Sequence, residues 1–343
     1  MLTVLRGALG ASMLALMSVA ASAADKVTIG MVNAVSDGTL FIAQDKGYFQ
    51  AEGIDADFIE FDTGAKMVAP MGAGQLDVGG GAASAGLYNA VDRGINIKLV
   101  ADKATNVKGA PFQVFMVRKD LFDSGKVKTL ADMKGRKVAI TGAGGSDASV
   151  LNEAMKSVGL TYDDVEKIYL GFPQHAPAFQ NGAIDGSITT EPTTTNIQRL
   201  GAAVALTGND AFYPNAQTAT IMFSGDFAQK RKDVATRFMK AYLRAARDFN
   251  DALVNGKLQG PGADELIAIL AKRTVIKSPD VLRNMTMHGV NPDGALNVDS
   301  MRKDLAFFKQ TGDVTSASVA VEQVLDARFA AEAAKALGPY VKK

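Results

Sequence analysis

VTIGMVNAVSDGTLFIAQDKGYFQAEGIDADFIEFDTGAKMVAPMGAGQLD, residues Val27–Asp77, is the stretch from which the fold can be read. Val27–Val32 is an apolar, β-prone run that breaks into the polar turn Asn33–Gly38. A short helix is expected next, with Leu40, Phe41 and Ala43 as its apolar positions and Lys46-Gly47 as its stop. Ile54–Phe61 alternates Ile54, Ala56 and Phe58 with Asp55 and Asp57, the period of a half-buried strand, and ends at Thr63-Gly64. The order is strand, loop, helix, strand. Both loops follow the carboxyl ends of strands, the edge at which open α/β sheets bind ligands.

Moving toward the C-terminus, the unit repeats its logic. A helix through Met67, Val68 and Met71 leads to a short buried strand at Leu76–Val78. That strand ends in Gly79-Gly80-Gly81-Ala82-Ala83-Ser84 before another helix. Glycines at such a junction allow close backbone approach, and the first amides of the new helix have no intrahelical partner. Together with the helix dipole they form a seat for an anion. Strands are expected at Ile95–Ala101 and Phe112–Val117. A second α/β unit follows, with Lys137–Thr141, Ile168–Phe172, Ala183–Thr189 and Ala202–Leu206 as strands and Gly142-Ala-Gly-Gly-Ser146-Asp147 opening a helix. Thr218–Phe223 returns as a strand. Beyond Ser224 the pattern is helical, led by Val234, Phe238, Ala241, Ala245, Phe249 and Ala252 at helical spacing. Further helices are expected at Gly262–Lys272, Asp299–Thr311 and Val321–Leu337. A unit that is left and re-entered implies two connecting strands, near Pro111–Val117 and Asn215–Phe223, and so a hinge with a cleft between lobes.

Moving toward the N-terminus, Arg6, the apolar run Ala8–Ala20 and Ala21-Ser22-Ala23 have the form of a secretory signal. The apolar run is too short to span a bilayer as a helix. Loss of Arg6 would lower Lys+Arg from 37 to 36, against 36 Asp+Glu. A neutral chain argues against nucleic acid or an anionic membrane as partner. With no cysteine, neither disulfides nor thiolate metal sites are available. The remaining length exceeds the ~250–300 residues at which single cores stop growing, so two lobes are expected.

Asp45–Asp55, Gly74–Asp77, Leu130–Val138, Gln180–Asp185 and Glu191-Pro192 carry a resemblance. In this order the chain resembles the type 2 periplasmic solute-binding proteins of ABC importers. The group is the nitrate/sulfonate/taurine one, which also contains binders of thiamine-pyrimidine precursors. The resemblance implies an α/β, two-lobe periplasmic-binding-protein-like fold with a double-strand hinge and C-terminal helices. Residues 1–23 would be the signal, 24–113 with 220–343 the first lobe, and 114–219 the second. It further implies capture of a small solute in the periplasm and delivery to an inner-membrane ABC permease. By this reading the protein works as a monomer, without cofactor, metal or catalytic residues. Ligand-contacting segments map onto Ser36, Asp37, Gly38 and Thr39, the Gly64 loop, Ala82, Ala83 and Ser84, then Gly144, Gly145 and Ser146, and Thr190 with Glu191. This chain lacks the tryptophan that members often place in the pocket, and lacks the cysteine motif of the fungal pyrimidine-synthesis branch.

The residues themselves leave alternatives open. Ser84 and Ser146 suit either a ligand's anion or a purely local N-cap. Asp37 and Thr39 suit a turn as well as a contact. Glu191 could cap a helix or accept from a ligand amine or hydroxyl. Lys103 reads as a loop lysine that could also neutralise an anion. His175, just past a strand, could donate to a carboxylate or sulfonate, whereas His288 reads as a helix-end cap. Phe41, Phe112 and Tyr213 could sandwich a ring, and Phe41 suits the core equally. The Gly142 run lacks the Lys-Ser/Thr of a phosphate-binding loop, and no Gly-x-Ser-x-Gly elbow or zinc-ligand spacing is present. The expected ligand is a small organic anion, a carboxylate or sulfonate, with an aromatic ring or an amino group on it left open. A neutral pyrimidine-type vitamin precursor is the alternative, and a secreted enzyme on the same fold a more distant one.

Overall fold

The computed structural model describes residues 23–343, so the expected signal segment, Ala23 apart, lies outside the described residues. Strands β1 (Asp25–Met31), β2 (Ile54–Glu60), β3 (Val78–Gly81) and β4 (Ile97–Thr105) build a first sheet. The chain then crosses to a second sheet of β5 (Gln113–Arg118), β6 (Lys137–Ile140), β7 (Glu166–Tyr169), β8 (Gly186–Thr190) and β9 (Ala203–Gly208). It returns as β10 (Gln217–Ser224). The five-stranded orders are β2-β1-β3-β10-β4 and β7-β6-β8-β5-β9. In the first, β1 lies parallel to β2, with Asp25 opposite Ile54, and to β3, with Ile29 opposite Val78. In the second, β6 lies parallel to β7 and β8. The returning strand and β5 are the antiparallel members. Each parallel trio thus points its carboxyl ends toward one edge, and in two-sided α/β sheets such strands are continuous apolar runs. Val27, Ile29 and all of β3 are buried accordingly, the antiparallel β10 is buried between β3 and β4, and the alternating β2 sits at the sheet edge.

The lobes are joined by residues 106–112 and 209–216. Asn106 ties the two crossings together: its amide donates to Ala216 O at 2.9 Å, its Nδ2 to Tyr213 O at 3.3 Å, and its Oδ1 accepts from Phe112 N at 3.3 Å. The largest apolar core lies on the first sheet beneath the Lys232–Ala252 helix. Phe238 of that helix stacks on Phe49 at 5.0 Å and meets Phe223 and Phe227 edge-on. Burying an aromatic side chain stabilises by roughly 1.5–3 kcal/mol, so this helix anchors the first lobe.

Several C-terminal expectations are corrected. The region after Ser224 is not wholly helical: Leu253–Val254 and Lys257–Leu258 pair as a hairpin across Asn255-Gly256, both at positive φ, the turn that suits this dipeptide. The segment 321–337 is two helices, Val321–Val324 and Arg328–Leu337, rather than one. The Val298–Gln310 helix does not belong to the first lobe alone. Its Leu305 and Phe308 share a buried cluster with Leu151 and Met155 of the Ser146–Lys156 helix, and Lys303 pairs with Glu153 at 2.5 Å.

Candidate functional site

The carboxyl ends of the two sheets face each other across a small cavity of about 100 Å³. Ser36 lies in the turn after β1, Gly64 after β2, Ala82 and Ser84 after β3, and Thr190 at the end of β8. Phe112 comes from a hinge crossing, and Gly145 and Ser146 from the loop after β6. All of these line the cavity. The lobes touch around it: Ala85 N donates to Gly144 O at 2.8 Å on one side, and Val35 N to Glu191 O at 3.3 Å on another. One glycine contact lets the lobes approach this closely, and a second packs two loops of the first lobe together at the cavity wall. A Cβ on Gly144, at φ +64°, would lie 2.3 Å from the Ala85 Cβ. A Cβ on Gly64 would lie 2.9 Å from both Ala82 N and Gly81 Cα.

Hydrogen-bond donors converge on the cavity from both lobes. Ser84 Oγ accepts from Leu87 N at 3.3 Å, so the residue is an N-cap and a wall of the cavity at once, with its hydroxyl proton still available. Across from it, the first intrahelical bonds of the Ser146–Lys156 helix come from Ala148 and Ser149 to Gly145 O. The amides of Ser146 and Asp147 precede them, at the positive end of the helix dipole. Gln113 is almost wholly buried; its Oε1 accepts from Asn209 Nδ2 at 3.3 Å, leaving its NH₂ group for the cavity.

The carboxylates near the cavity are already committed. Asp147 accepts from the amides of Thr141 and Ala148, and burial pushes its carboxyl above the usual range. Asp62 pairs with Lys66 at the rim. Asp37 accepts from Ala34 N at 3.0 Å and Val32 N at 3.2 Å and pairs with Lys103 Nζ at 2.8 Å. Lys103 is no loop lysine. It lies within β4 with no exposed surface, and its ammonium donates to Ser36 Oγ at 2.9 Å. Gly80 makes room for it, since a Cβ there would sit 2.9 Å from Lys103 Cε.

Other expected site residues lie elsewhere. Asp37 is turned into the protein, as described. Gly38 faces Leu270, and Thr39 Oγ1 donates to Tyr242 OH at 3.4 Å in the core. Ala83 and Gly144 flank the cavity without lining it. Glu191 lines an adjoining chamber of about 340 Å³, where its carboxylate accepts from Thr195 N at 3.0 Å and Thr195 Oγ1 at 2.9 Å. Burial pushes its carboxyl upward. His175 is buried in the helix Phe172–Gln180 with Nε2 3.1 Å from Leu170 O, and burial pushes its imidazole down to about 4. Phe172, at the start of that helix, reaches the cavity instead. His288 does not cap a helix: it stacks on Phe249 at 4.8 Å and meets Phe112 edge-on at 5.5 Å. Burial, with Lys103 nearby, pushes it down to about 3. Phe41 packs on Phe58, and Tyr213 donates to Asp304 Oδ1 at 2.6 Å, so neither is a cavity ring. Gln113, Thr141 and Phe172 are lining residues that sequence reasoning did not single out; each stands at a strand or helix terminus facing the cleft. Among the described residues no group of three or more histidines, aspartates or glutamates could hold a metal ion.

The segment from the turn after β1 to the end of the long helix, residues 37–251, matches the model of the "NMT1/THI5 like" family. The protein belongs to the NMT1/THI5-like family. Among the relatives of this NMT1/THI5-like chain is a protein of Brucella abortus (strain 2308) named as a binding protein. It is 27% identical over 212 residues, which are 62% of each chain. The chain thus spans somewhat under two thirds of the length of such relatives. The taurine-binding periplasmic protein of Escherichia coli (strain K12) is 22% identical over 240 residues, 69% of this chain and 71% of that one. Among solved structures, the ligand-binding component of an ABC-type import system from Staphylococcus aureus matches with a TM-score of 0.74 and 17% identity. The match covers 91% of this chain and 99% of that one. This last likeness is one of fold: two α/β lobes with a cleft between them.

Proposed function

We propose that the protein is the solute-binding component of an ABC importer. It captures a small organic anion, a carboxylate or sulfonate, between its lobes in the periplasm and hands it to a membrane permease. One observation carries the reading: donors from both lobes meet in a single cavity whose nearby carboxylates are consumed by backbone amides or by lysines. An anion seated there completes the donor set and bridges the lobes, which ties capture to closure. Phe112 and Phe172 would flank its organic part. The binding proteins among the relatives, periplasmic in the case of the taurine binder, support the same reading.

An enzymatic reading has one point in its favour, the Ser36–Lys103 pair, since a lysine can serve as base to a serine nucleophile. Here the buried Asp37 carboxylate lies 2.8 Å from the same nitrogen and favours its ammonium form, which donates to Ser36 and has no lone pair to take the serine proton. Both histidines lie outside the cavity lining. Binding without turnover is the expected behaviour.

The test is the melting temperature in the presence of alkanesulfonates, taurine, short and aromatic carboxylates, nitrate and a neutral pyrimidine. A ligand at about 100 times its Kd adds about 2.7 kcal/mol of apparent stability, a shift of several degrees for a chain of this size. At least one acid is expected to produce it. No shift from any acid, or a shift from the pyrimidine alone, would sink the anion reading; conversion of any compound would replace it with an enzymatic one.

A further inference from the structure

The buried Lys103 lies outside the cavity, yet its place suggests a role in what the cavity accepts. An ammonium has three donors and no acceptor, whereas a serine hydroxyl has one donor and two lone pairs. The 2.9 Å contact from Lys103 Nζ to Ser36 Oγ therefore has one polarity only: Lys103 donates and Ser36 accepts. Among the described residues Ser36 Oγ donates to no protein acceptor, and Ser36 lines the cavity. The serine proton is left for whatever the cavity holds.

We propose that Lys103 is a specificity-determining positioning residue that fixes Ser36 as a donor, so that the cavity selects an acceptor-only acid group over its neutral amide counterpart. The proposal rests on the anion reading above and adds the residue that enforces it. The surrounding geometry is arranged for this fixed polarity. Asp37 Oδ1 holds the ammonium at 2.8 Å, while Asp37 Oδ2 takes the amides of Val32 and Ala34 and so pins the turn that carries Ser36. Gly80 clears the path for the lysine stem from β4. Because the ammonium is fully buried, water cannot replace it at the serine oxygen. A serine free to rotate would present a proton to an acid or a lone pair to an amide N–H with equal ease. Held by Lys103, it presents only the proton, and an amide placed with its NH₂ toward Ser36 leaves two donors facing each other. Buried mismatches of this kind are where hydrogen-bonded sites gain their discrimination.

The experiment compares acid and amide partners of the same shape: propanesulfonate with propanesulfonamide, and benzoate with benzamide. Their dissociation constants are measured on wild type, on Ser36→Ala, on the double variant Lys103→Met with Asp37→Asn, and on the three changes combined. Replacing Lys103 and Asp37 together avoids leaving a lone buried charge. The wild type is expected to prefer the acid. The double variant should lose about tenfold or more of that preference, the worth of a hydrogen bond to a charged group. Ser36→Ala should lose a similar amount, and the combined variant no more than either. A merely structural Lys103 would lower the melting temperature and weaken both partners equally, leaving the acid/amide ratio unchanged; that result overturns the proposal. If the double variant does not fold, the ratio in Ser36→Ala decides alone, and an unchanged ratio there is equally fatal. Should the wild type bind no acid at all, the anion reading falls and takes the proposal with it. Acid binding with ratios indifferent to every variant removes only the role of Lys103.

Discussion

Several ionisable side chains of this protein are almost wholly buried, among them Asp37, Lys103, Asp147 and His288. His288 is the clearest case outside the site. It is locked between Phe112 and Phe249, its ring nitrogens make no hydrogen bond, and burial pushes it from 6.5 down to about 3. A base whose folded value is depressed resists protonation in the native state alone. Its contribution to stability is intact above about 6.5 and is lost as pH falls toward about 3. Urea denaturation at stepwise lower pH should therefore move the difference between His288→Phe and wild type in favour of the variant. The slope should reach at most about 1.4 kcal/mol per pH unit. A difference that stays constant across that window would mean that His288 charges as easily in the folded chain as in the unfolded one. In the sequence His288 looked like a cap because it stands just after a helix; only the packing of a hinge residue, Phe112, against it shows otherwise. Lys103 misled for the same reason. A lysine at a strand end is normally solvated, and its burial depends on Asp37, 66 positions earlier, and on the missing side chain of Gly80.

At the scale of elements, the strand–loop–helix order and the glycine-rich loops were legible because they rest on local rules: period, breakers and unsatisfied helix amides. Val27–Asp77 forms β1, the short helix and β2 as its alternation requires, and the loops after β1, β2, β3 and β6 all reach the cavity. What pattern could not supply was the direction of each side chain within a loop. Ser36 and Asp37 are neighbours, yet one lines the cavity and the other is turned inward. His175 and Phe172 share one helix, and the apolar member reaches the cleft. The Asn255-Gly256 hairpin was legible in principle but was hidden by the helical pattern on either side. The loop after β6 carries its own prediction. Gly144→Val places a branched side chain at φ +64° and 2.3 Å from Ala85 Cβ. It should break the Ala85–Gly144 contact and weaken ligand binding by about tenfold or more. Ligand-induced shifts in melting temperature would shrink accordingly, and undiminished shifts would show that the contact plays no part in capture.

For the whole molecule, two sheets joined by two crossings, 106–112 and 209–216, place any closure about those crossings, and Phe112 of the first of them forms part of the cavity wall. The Val298–Gln310 helix reaches across the same divide, packing on the second lobe's Ser146–Lys156 helix while its Ser300 and Asn297 bond to Gln217 and Asn215 at the hinge. A solute that bridges Ser36 and Ser84 on one lobe to Gln113 and Ser146 on the other would favour the closed arrangement by its own binding energy. The most direct test is isothermal titration of the wild-type protein with sulfonates and carboxylates. At least one acid is expected to bind saturably with one molecule per chain and to leave the cell unchanged. The absence of binding heat from every acid, or recovery of a converted product, would contradict it.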